Sequence, residues 1–360
     1  MITIDGTEIR SARTRRGWSQ AQLLGALRTR ATQQGIALMS STSLRVALSR
    51  WENGHTKPDK LHSRLLRQVL ELPTVTVDLS KGGTLFEVLL NHTNSLRILD
   101  RRFGAPAARL QTAAHVTALD AMWHTSKGVD RIVIARAQAD AAALAAWQDF
   151  DVGDTTAAAT HYEQAQAAAL RAEDPILLAH TIGEESVLLA ESGDAARAMA
   201  QVAQAERTGG LPPLLRSWLS ATSAQVATYC PGQASTARDA LSIAEALLPN
   251  GSCDDDAMPF IAHDETHLSR WAGHILAQLG DPAAAALTRD SMQVIPEDFV
   301  RARCAQHLDL AQAAINAGRR EEAVSLLSVS AGHIRTLGSG RLRRRHDVLH
   351  RRSHQLMTAG

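Results

Sequence analysis

The sequence predicts an all-α protein, in which a small basic domain precedes a long array of helix pairs. The first observation is composition: aromatic residues make up 4 % of the 360 residues, and the apolar surface comes mainly from Ala, Leu, Val and Ile. Ala-rich runs such as residues 141–146 favour helices strongly. The second observation is that apolar residues recur at helical spacing near the N-terminus. The third is a series of glycine turns about 40 residues apart, which is typical of repeated helical units.

Charge divides the chain into three parts. Residues 1–72 hold 12 Lys and Arg against 5 Asp and Glu, residues 73–340 hold 20 against 31, and residues 341–360 hold 6 Arg against one Asp. A basic head before an acidic body predicts that only the head meets a polyanion. The sequence shows neither an apolar signal region nor a stretch long enough to cross a bilayer, so we expect no membrane partner and a cytoplasmic, nucleoid-associated location.

Four helices are predicted in the head, over about residues 8–16, 20–34, 44–53 and 60–72. Ser19 is a good N-cap for the second helix, and Gly35 is expected to end it. A loop through residue 41 follows, and Ser43 is the N-cap candidate of the third helix, which Gly54 ends. Residues 73–79 break the helical pattern and are expected to form a linker.

Two segments of the head resemble a known family: RTRRGWSQAQL and SLRVALSRWENGHTKPD. They look like the phage-repressor helix-turn-helix, the Cro/C1 or XRE type, in the Arg-rich first helix, the Trp-Ser-Gln start of the second and the SRWENG end of the third. The resemblance implies a DNA-binding domain over residues 1–75 whose third helix lies in the major groove. The connection before the third helix is longer than the family's usual turn, and in this the chain resembles regulators of high-GC actinobacteria.

The resemblance also implies which side chains contact DNA. The side chains expected to face the base edges are Arg45, Val46, Ser49 and Arg50, and either arginine can pair with guanine O6 and N7. The side chains expected to hold phosphates are Gln20 and Asn53, which match family positions, with Arg13, Arg15, Arg16 and Lys57 as added cations. Proteins with this head usually bind two half-sites, so we expect a homodimer on double-stranded DNA.

The repeated turns of the body are marked by five glycines: Gly153, Gly193, Gly232, Gly280 and Gly318. Alanine stands five residues after each of them, and small residues dominate the position seven before. The pattern predicts a helix, a turn and a second helix in each unit, and it resembles tetratricopeptide (TPR) repeats. The resulting fold is an N-terminal helix-turn-helix domain followed by a TPR-like α-solenoid over residues 130–360, with residues 76–129 as linker and helical connector.

The TPR resemblance implies a concave surface for a peptide, a small molecule or a protein effector. Polar residues at four-residue spacing are candidates for that site: His180 with Glu184, Arg270 with His274, and Arg303 with His307. Their offsets from the turn glycines differ, so surface pairs within a helix are the favoured interpretation. The Arg-rich tail is expected to be an end-capping helix with a polar outer face. A second DNA contact, or attraction to the acidic part of a neighbouring subunit, is the alternative.

The sequence therefore predicts a dimeric, sequence-specific DNA-binding transcriptional regulator with a TPR-like domain for effector or partner binding and dimerisation. Two alternatives stay open: an interaction scaffold tethered to DNA, and an antitoxin-like regulator of phage or plasmid maintenance. The sequence contains no phosphate-binding glycine loop, nucleophile elbow or paired Cys and His residues, so we expect no enzyme. We expect neither a cofactor nor a metal, because the acidic loop at residues 254–256 lacks the spacing of a calcium loop and Asp264 is explained as a helix cap.

Overall fold

A computed structural model describes residues 6–34, 36, 38–70, 84–249, 258–295 and 299–355. Every regular element in these ranges is helical, so the predicted all-α class is confirmed for the described part of the chain. The helices fall into two compact units, Met1–Gly83 and Thr84–Gly360. Of the described helices, none combines the length and the apolar character needed to span a membrane.

The first unit contains four helices: α1 (Gly6–Arg15), α2 (Gln20–Gln33), α3 (Ser41–Glu52) and α4 (Lys60–Val69). One apolar core joins them, and its members include Ile9, Leu23, Leu27, Leu44, Leu48, Trp51, Leu65 and Leu66. Ser19 caps α2 as expected. Its Oγ accepts a hydrogen bond from the backbone N–H of Gln22, and the backbone N–H of Ser19 donates one to the Oε1 of Gln22.

Helix α3 begins earlier than the sequence indicates. Ser40, not Ser43, is its N-cap: the Ser40 Oγ accepts a hydrogen bond from the backbone N–H of Ser43 at 3.2 Å. The predicted loop through residue 41 is therefore wrong. Four adjacent Ser and Thr residues at positions 40–43 offer similar caps, and local pattern alone does not choose among them. The predicted linker at residues 73–79, the acidic loop at residues 254–256 and Gly35 lie outside the described residues.

The second unit contains thirteen α-helices and a short 3₁₀ turn at Ala105–Ala107. The helices are α5 (Leu85–Phe103), α6 (Arg109–Thr125), α7 (Gly128–Val152), α8 (Thr155–Arg171), α9 (Pro175–Glu191), α10 (Ala195–Glu206), α11 (Pro213–Ala227), α12 (Ala234–Leu247), α13 (Glu265–Leu279), α14 (Ala284–Val294), α15 (Val300–Asn316), α16 (Arg320–Leu337) and α17 (Gly340–Gln355).

Helices α7 to α16 form five pairs, and each turn contains one of the five predicted glycines. All five glycines have a φ between 72° and 98°, a region that L side chains rarely adopt. The alanines five residues later are all buried between helices: Ala158, Ala198, Ala237, Ala285 and Ala323. The first helices of successive pairs also contact one another, from α7 through α9, α11 and α13 to α15. The predicted repeated units of the body, each a helix, a glycine turn and a second helix, are therefore present.

Helices α5 and α6 belong to the body and not to a separate connector. Leu89 of α5 and Leu119 of α6 share an apolar core with Ile134 of α7. Residues 76–129 were predicted as linker and helical connector, and from Thr84 onward they fall in the same compact unit as the helix pairs. Gly104, with a φ of 86°, also ends α5, but Arg109 and not alanine stands five residues after it, so this pair does not match the repeat pattern of the later pairs.

The last helix returns to the beginning of the body. Helix α17 contacts α7, α15 and α16, and α15 contacts α5. Just before α17, the Oγ of Ser339 donates a hydrogen bond to Asp151 Oδ1 in α7 at 2.8 Å. The expected end-capping helix is therefore correct for its contact with α16. Its face toward the body, however, carries arginines that form ion pairs inside the unit.

Gly340 marks the closest approach of α17 to α7. A Cβ added to Gly340 would lie 2.1 Å from the backbone O of Val152. We expect Gly340→Ala to lower the free energy of unfolding by about 1–3 kcal/mol, because backbone atoms must move to admit the methyl group. Gly332→Ala in α16 is the matched control, since a Cβ there meets open space and alanine favours the helix. Urea denaturation measures both, and equal stability of the two variants would contradict the close packing.

Candidate functional site

A buried carboxylate joins the first three helices of the head. Glu52, at the end of α3, is 3 % exposed. It accepts hydrogen bonds from the Nε of Arg13 at 2.7 Å, from the Nη2 of Arg13 at 3.0 Å and from the Nε2 of Gln20 at 2.8 Å. Burial acts to raise the pKa of Glu52, but the hydrogen bonds from Arg13 and Gln20 outweigh burial and lower that pKa. The ionised carboxylate therefore holds α1 and α2 against α3.

This network changes the interpretation of two expected phosphate contacts. Arg13 also donates through Nη1 to the backbone O of Trp18 at 2.7 Å, so all of its nitrogens are engaged within the head. Gln20 uses its amide nitrogen to reach Glu52. Both residues therefore have a structural role within the head, and their expected contacts with phosphates stay predictions.

The other expected phosphate contacts lie nearer the surface. Asn53 accepts a hydrogen bond from Arg10 through its Oδ1. The guanidinium of Arg16 lies 5.3 Å from the centre of a neighbouring indole ring. Lys57 is exposed, and the side chain of Arg15 lies outside the described residues. These positions leave Lys57 as a cation at the surface beside the end of α3.

One face of α3 presents the four residues that were expected to contact bases. Arg45 and Arg50 are exposed, Ser49 is half-buried, and the apolar side chain of Val46 is 54 % exposed. Residues at these spacings share one side of a helix. Among the described residues, none forms a hydrogen bond or ion pair with either arginine side chain. The face also contains a depression lined by Thr42, Ser43, Val46, Ala47, Arg50 and Thr56.

The second unit encloses a cavity of about 700 Å³. It is lined by α5 and α17 and by the first helices of the five pairs. Three of the six Trp, two of the five Phe and one of the two Tyr residues line it: Trp147, Trp218, Trp271, Phe260, Phe299 and Tyr229. The volume and the aromatic lining are typical of a small-molecule site.

Four arginines that line the cavity are paired with carboxylates: Arg97 with Asp140, Arg301 with Asp100, Arg341 with Glu191, and Arg345 with Asp309. Burial acts to raise the pKa of Asp309, but Arg345 and His274 outweigh burial and lower it. Two of these arginines come from α17, so the basic tail supplies charge to the interior of this unit. Local sequence pattern does not indicate this role, because the partners lie 36 and 150 residues away along the chain.

The structure separates the five candidate effector residues into two groups. His180, Arg270 and His274 line the cavity. Arg303 instead donates to the backbone O of Met292 at 3.2 Å, and His307 contacts the backbone O of Arg303 through Nδ1 at 2.9 Å. The prediction that all of these are surface pairs within helices is therefore wrong for the first three. The concentration of scarce Trp residues on the first helices was the sequence signal that would have indicated the cavity.

His180 and Glu184 face each other in this cavity, with 3.7 Å between Nε2 and Oε1. Burial, assisted by Arg97, lowers the pKa of His180 to about 3. Burial raises the pKa of Glu184 to about 8, with Arg97 opposing the change and Asp140 assisting it. Both side chains are therefore neutral near pH 7.

The stability of the second unit should be greatest near pH 6.5. Burial lowers the pKa of His115, His180 and His263 in the folded protein to about 4 or below. As pH falls below 6.5, these histidines become protonated in the unfolded chain but stay neutral in the folded protein, so stability falls. As pH rises from 6.5 to 8, folded Glu184 retains a proton that the unfolded chain has lost, so stability falls again, by up to about 1.4 kcal/mol per pH unit. Thermal unfolding followed by circular dichroism across pH 4 to 9 measures both limbs.

The variant Glu184→Gln provides the control for this pH profile. Glutamine has nearly the same shape and does not titrate, so the decline above pH 6.5 should disappear while the acid limb persists. An unchanged alkaline limb in this variant would show that another group causes it.

Among the residues that the structure describes, no cluster of His, Cys, Asp and Glu has an arrangement suited to a metal ion. Comparisons with protein-family models, with curated proteins and with solved structures find no match to this chain.

Proposed function

We propose that the chain is a sequence-specific DNA-binding regulator of transcription that acts as a dimer, with a TPR-like second unit that binds an effector or a partner. The face of α3 carries this proposal. Its two arginines have no partners among the described residues, and Val46 is exposed between them, which suits bidentate contacts to guanine and an apolar contact to a thymine methyl group. The sequence resemblance to the Cro/C1 helix-turn-helix supports the same role for this helix.

Selection of bound sequences from random duplex DNA tests the proposal. A dimeric regulator should enrich a motif of two half-sites and should bind it about 10³-fold or more tightly than unrelated DNA. The affinity should fall as salt rises, because lysine and arginine displace counterions from phosphates. Failure to enrich any motif would overturn sequence-specific regulation and would favour a scaffold that DNA merely tethers.

The variant Arg50→Ala should weaken binding to the selected site by about 1–3 kcal/mol and relax the preference at one base position. The matched control is Arg64→Ala in α4, which removes an exposed arginine from a different helix. Binding isotherms on the selected site and on single-base variants measure the effect. An equal loss of affinity on every sequence would show that Arg50 contacts phosphate and reads no base.

A further inference from the structure

The charges that line the cavity of the second unit do not balance. Eight arginines line it, against five acidic residues. Four of the acidic residues are paired with arginine, and the fifth, Glu184, is neutral below about pH 8 because burial raises its pKa. The lining is therefore cationic at neutral pH, although the acidic residues of the body as a whole outnumber the basic ones.

Arg270 of α13 is the clearest case of unmatched charge. Its side chain lines the cavity, and its Nε is buried without a hydrogen-bond partner. Among the described residues, none forms an ion pair with its guanidinium. Burial lowers the pKa of Arg270 to about 10, so the group still carries its charge at pH 7. Asp309 offsets part of the cost of this half-buried charge without forming an ion pair with it, and an anion from outside the chain would offset more.

A second unmatched nitrogen lies one helical turn away. His274 follows Arg270 by four residues, so both side chains lie on one face of α13. The Nδ1 of His274 is 2.7 Å from Asp309 Oδ1, and its Nε2 is buried without a partner. Two buried nitrogens on adjacent turns of one helix therefore lack a hydrogen-bond partner.

Aromatic rings line the same cavity as Arg270 and His274. Trp271 is the next residue after Arg270, and its ring centre is 6.2 Å from that of Trp218. His180 in turn contacts Trp218 at 4.8 Å and Phe260 at 4.6 Å between ring centres. Clusters of aromatic rings such as this one bury flat apolar groups. These rings line the same cavity as Arg270 of α13.

We propose that this cavity binds a small organic anion with a planar apolar ring system, whose anionic group pairs with Arg270 and whose rings pack against Trp218 and Trp271. The guanidinium of Arg270 selects the charge, and the rings of Trp218 and Trp271 select the flat apolar body. The inference rests on the effector-binding half of the proposed function and is independent of the DNA-binding half.

The full-length protein is titrated, without DNA, with two fluorescent probes that differ in one group. The anionic probe is 1-anilinonaphthalene-8-sulfonate, and the neutral probe is N-phenyl-1-naphthylamine, which lacks the sulfonate. We expect one anionic probe per chain. Arg270→Gln should weaken its binding about tenfold or more and leave the neutral probe unaffected, because a hydrogen bond to a charged group is lost. Arg216→Gln, at an exposed position of α11, is the control and should bind as the parent protein does.

Equal binding of the anionic probe by the two variants would overturn the proposal, as would an equal loss of both probes in Arg270→Gln. Displacement experiments on the unmodified protein avoid any dependence on the folding of a variant. Naphthalene-2-carboxylate should displace the anionic probe at a concentration at least tenfold lower than naphthalene-2-carboxamide does. Equal displacement by the carboxamide would show that the negative charge does not contribute to binding. Displacement by inorganic phosphate at a similar concentration would show that the ring system does not contribute. A negative result in every arm leaves the DNA selection experiment unaffected.

Discussion

Replacing Arg301 by methionine should lower the free energy of unfolding of the second unit by about 3–5 kcal/mol. Arg301 donates from Nη1 and Nη2 to the carboxylate of Asp100 at 2.9 and 2.6 Å, and its Nε lies 3.3 Å from Asp151 Oδ2. Both carboxylates are almost fully buried, at 2 % and 1 % exposed. Burial opposes the charge of Arg301, yet Asp100 and Asp151 hold its pKa above the ordinary value. Methionine keeps most of the volume but leaves two buried carboxylates without their counter-ion.

The measurement is urea denaturation, with the variant Arg335→Met as the control. Arg335 is exposed on α16, so its replacement should change stability by less than about 0.5 kcal/mol. Because Asp100 lies in α5, Arg301 in α15 and Asp151 in α7, the ion pairs join the beginning of the body to its end. If Arg301→Met changes the free energy of unfolding as little as Arg335→Met does, the ion pairs of Arg301 do not hold the two ends of the body together.

The second large effect is expected in the head, where Arg13→Met should lower stability by about 3 kcal/mol. Glu52 would lose both hydrogen bonds from Arg13 and remain buried with Gln20 as its sole side-chain partner among the described residues. Hydrogen exchange of the amides in residues 6–70 reports on this unit by itself, and their protection should fall together. The exposed Arg64→Met is the control, with little expected change.

A double variant distinguishes a structural role of Arg13 from a DNA contact. Adding Glu52→Leu to Arg13→Met removes both charges, and a similar apolar volume should recover much of the lost stability. If instead Arg13→Met keeps full protection and weakens binding to every DNA sequence equally, Arg13 is a phosphate contact as the family resemblance implies, and the structural role is wrong.

The sequence correctly predicted the cap of α2 and the glycine turns, which depend on a few adjacent residues. Ser19 caps α2, and the five turn glycines lie between paired helices, because capping and a positive φ are properties of a few adjacent residues. The predicted start of α3 was wrong by three residues because several adjacent side chains could cap it. Helices α5 and α6 were assigned to a helical connector because nothing in their own sequence marks what they pack against.

The candidate sites divide in the same way. The exposed face of α3 could be inferred from its residues and spacing, since one helix carries them all. The cavity could not be inferred, because its lining comes from seven helices spread over most of the chain. Arg270 and Arg303 are each followed by a histidine four residues later, so the sequence does not distinguish them. In the folded protein Arg303 of α15 binds the backbone O of Met292, whereas Arg270 of α13 lines the cavity.

The sequence by itself determined the helical class, the basic head, the helix-pair repeat and the residues of the α3 face, because composition, periodicity and turn chemistry act over short distances. The tertiary structure alone decided that the basic C-terminal helix returns to the interior of the body and that Arg270 lacks a counter-ion there. Both features depend on contacts between distant parts of the chain. The ion pair of Arg301 with Asp100, for example, joins residues 201 positions apart. No local pattern carries information about such contacts, because they exist only once the chain has folded.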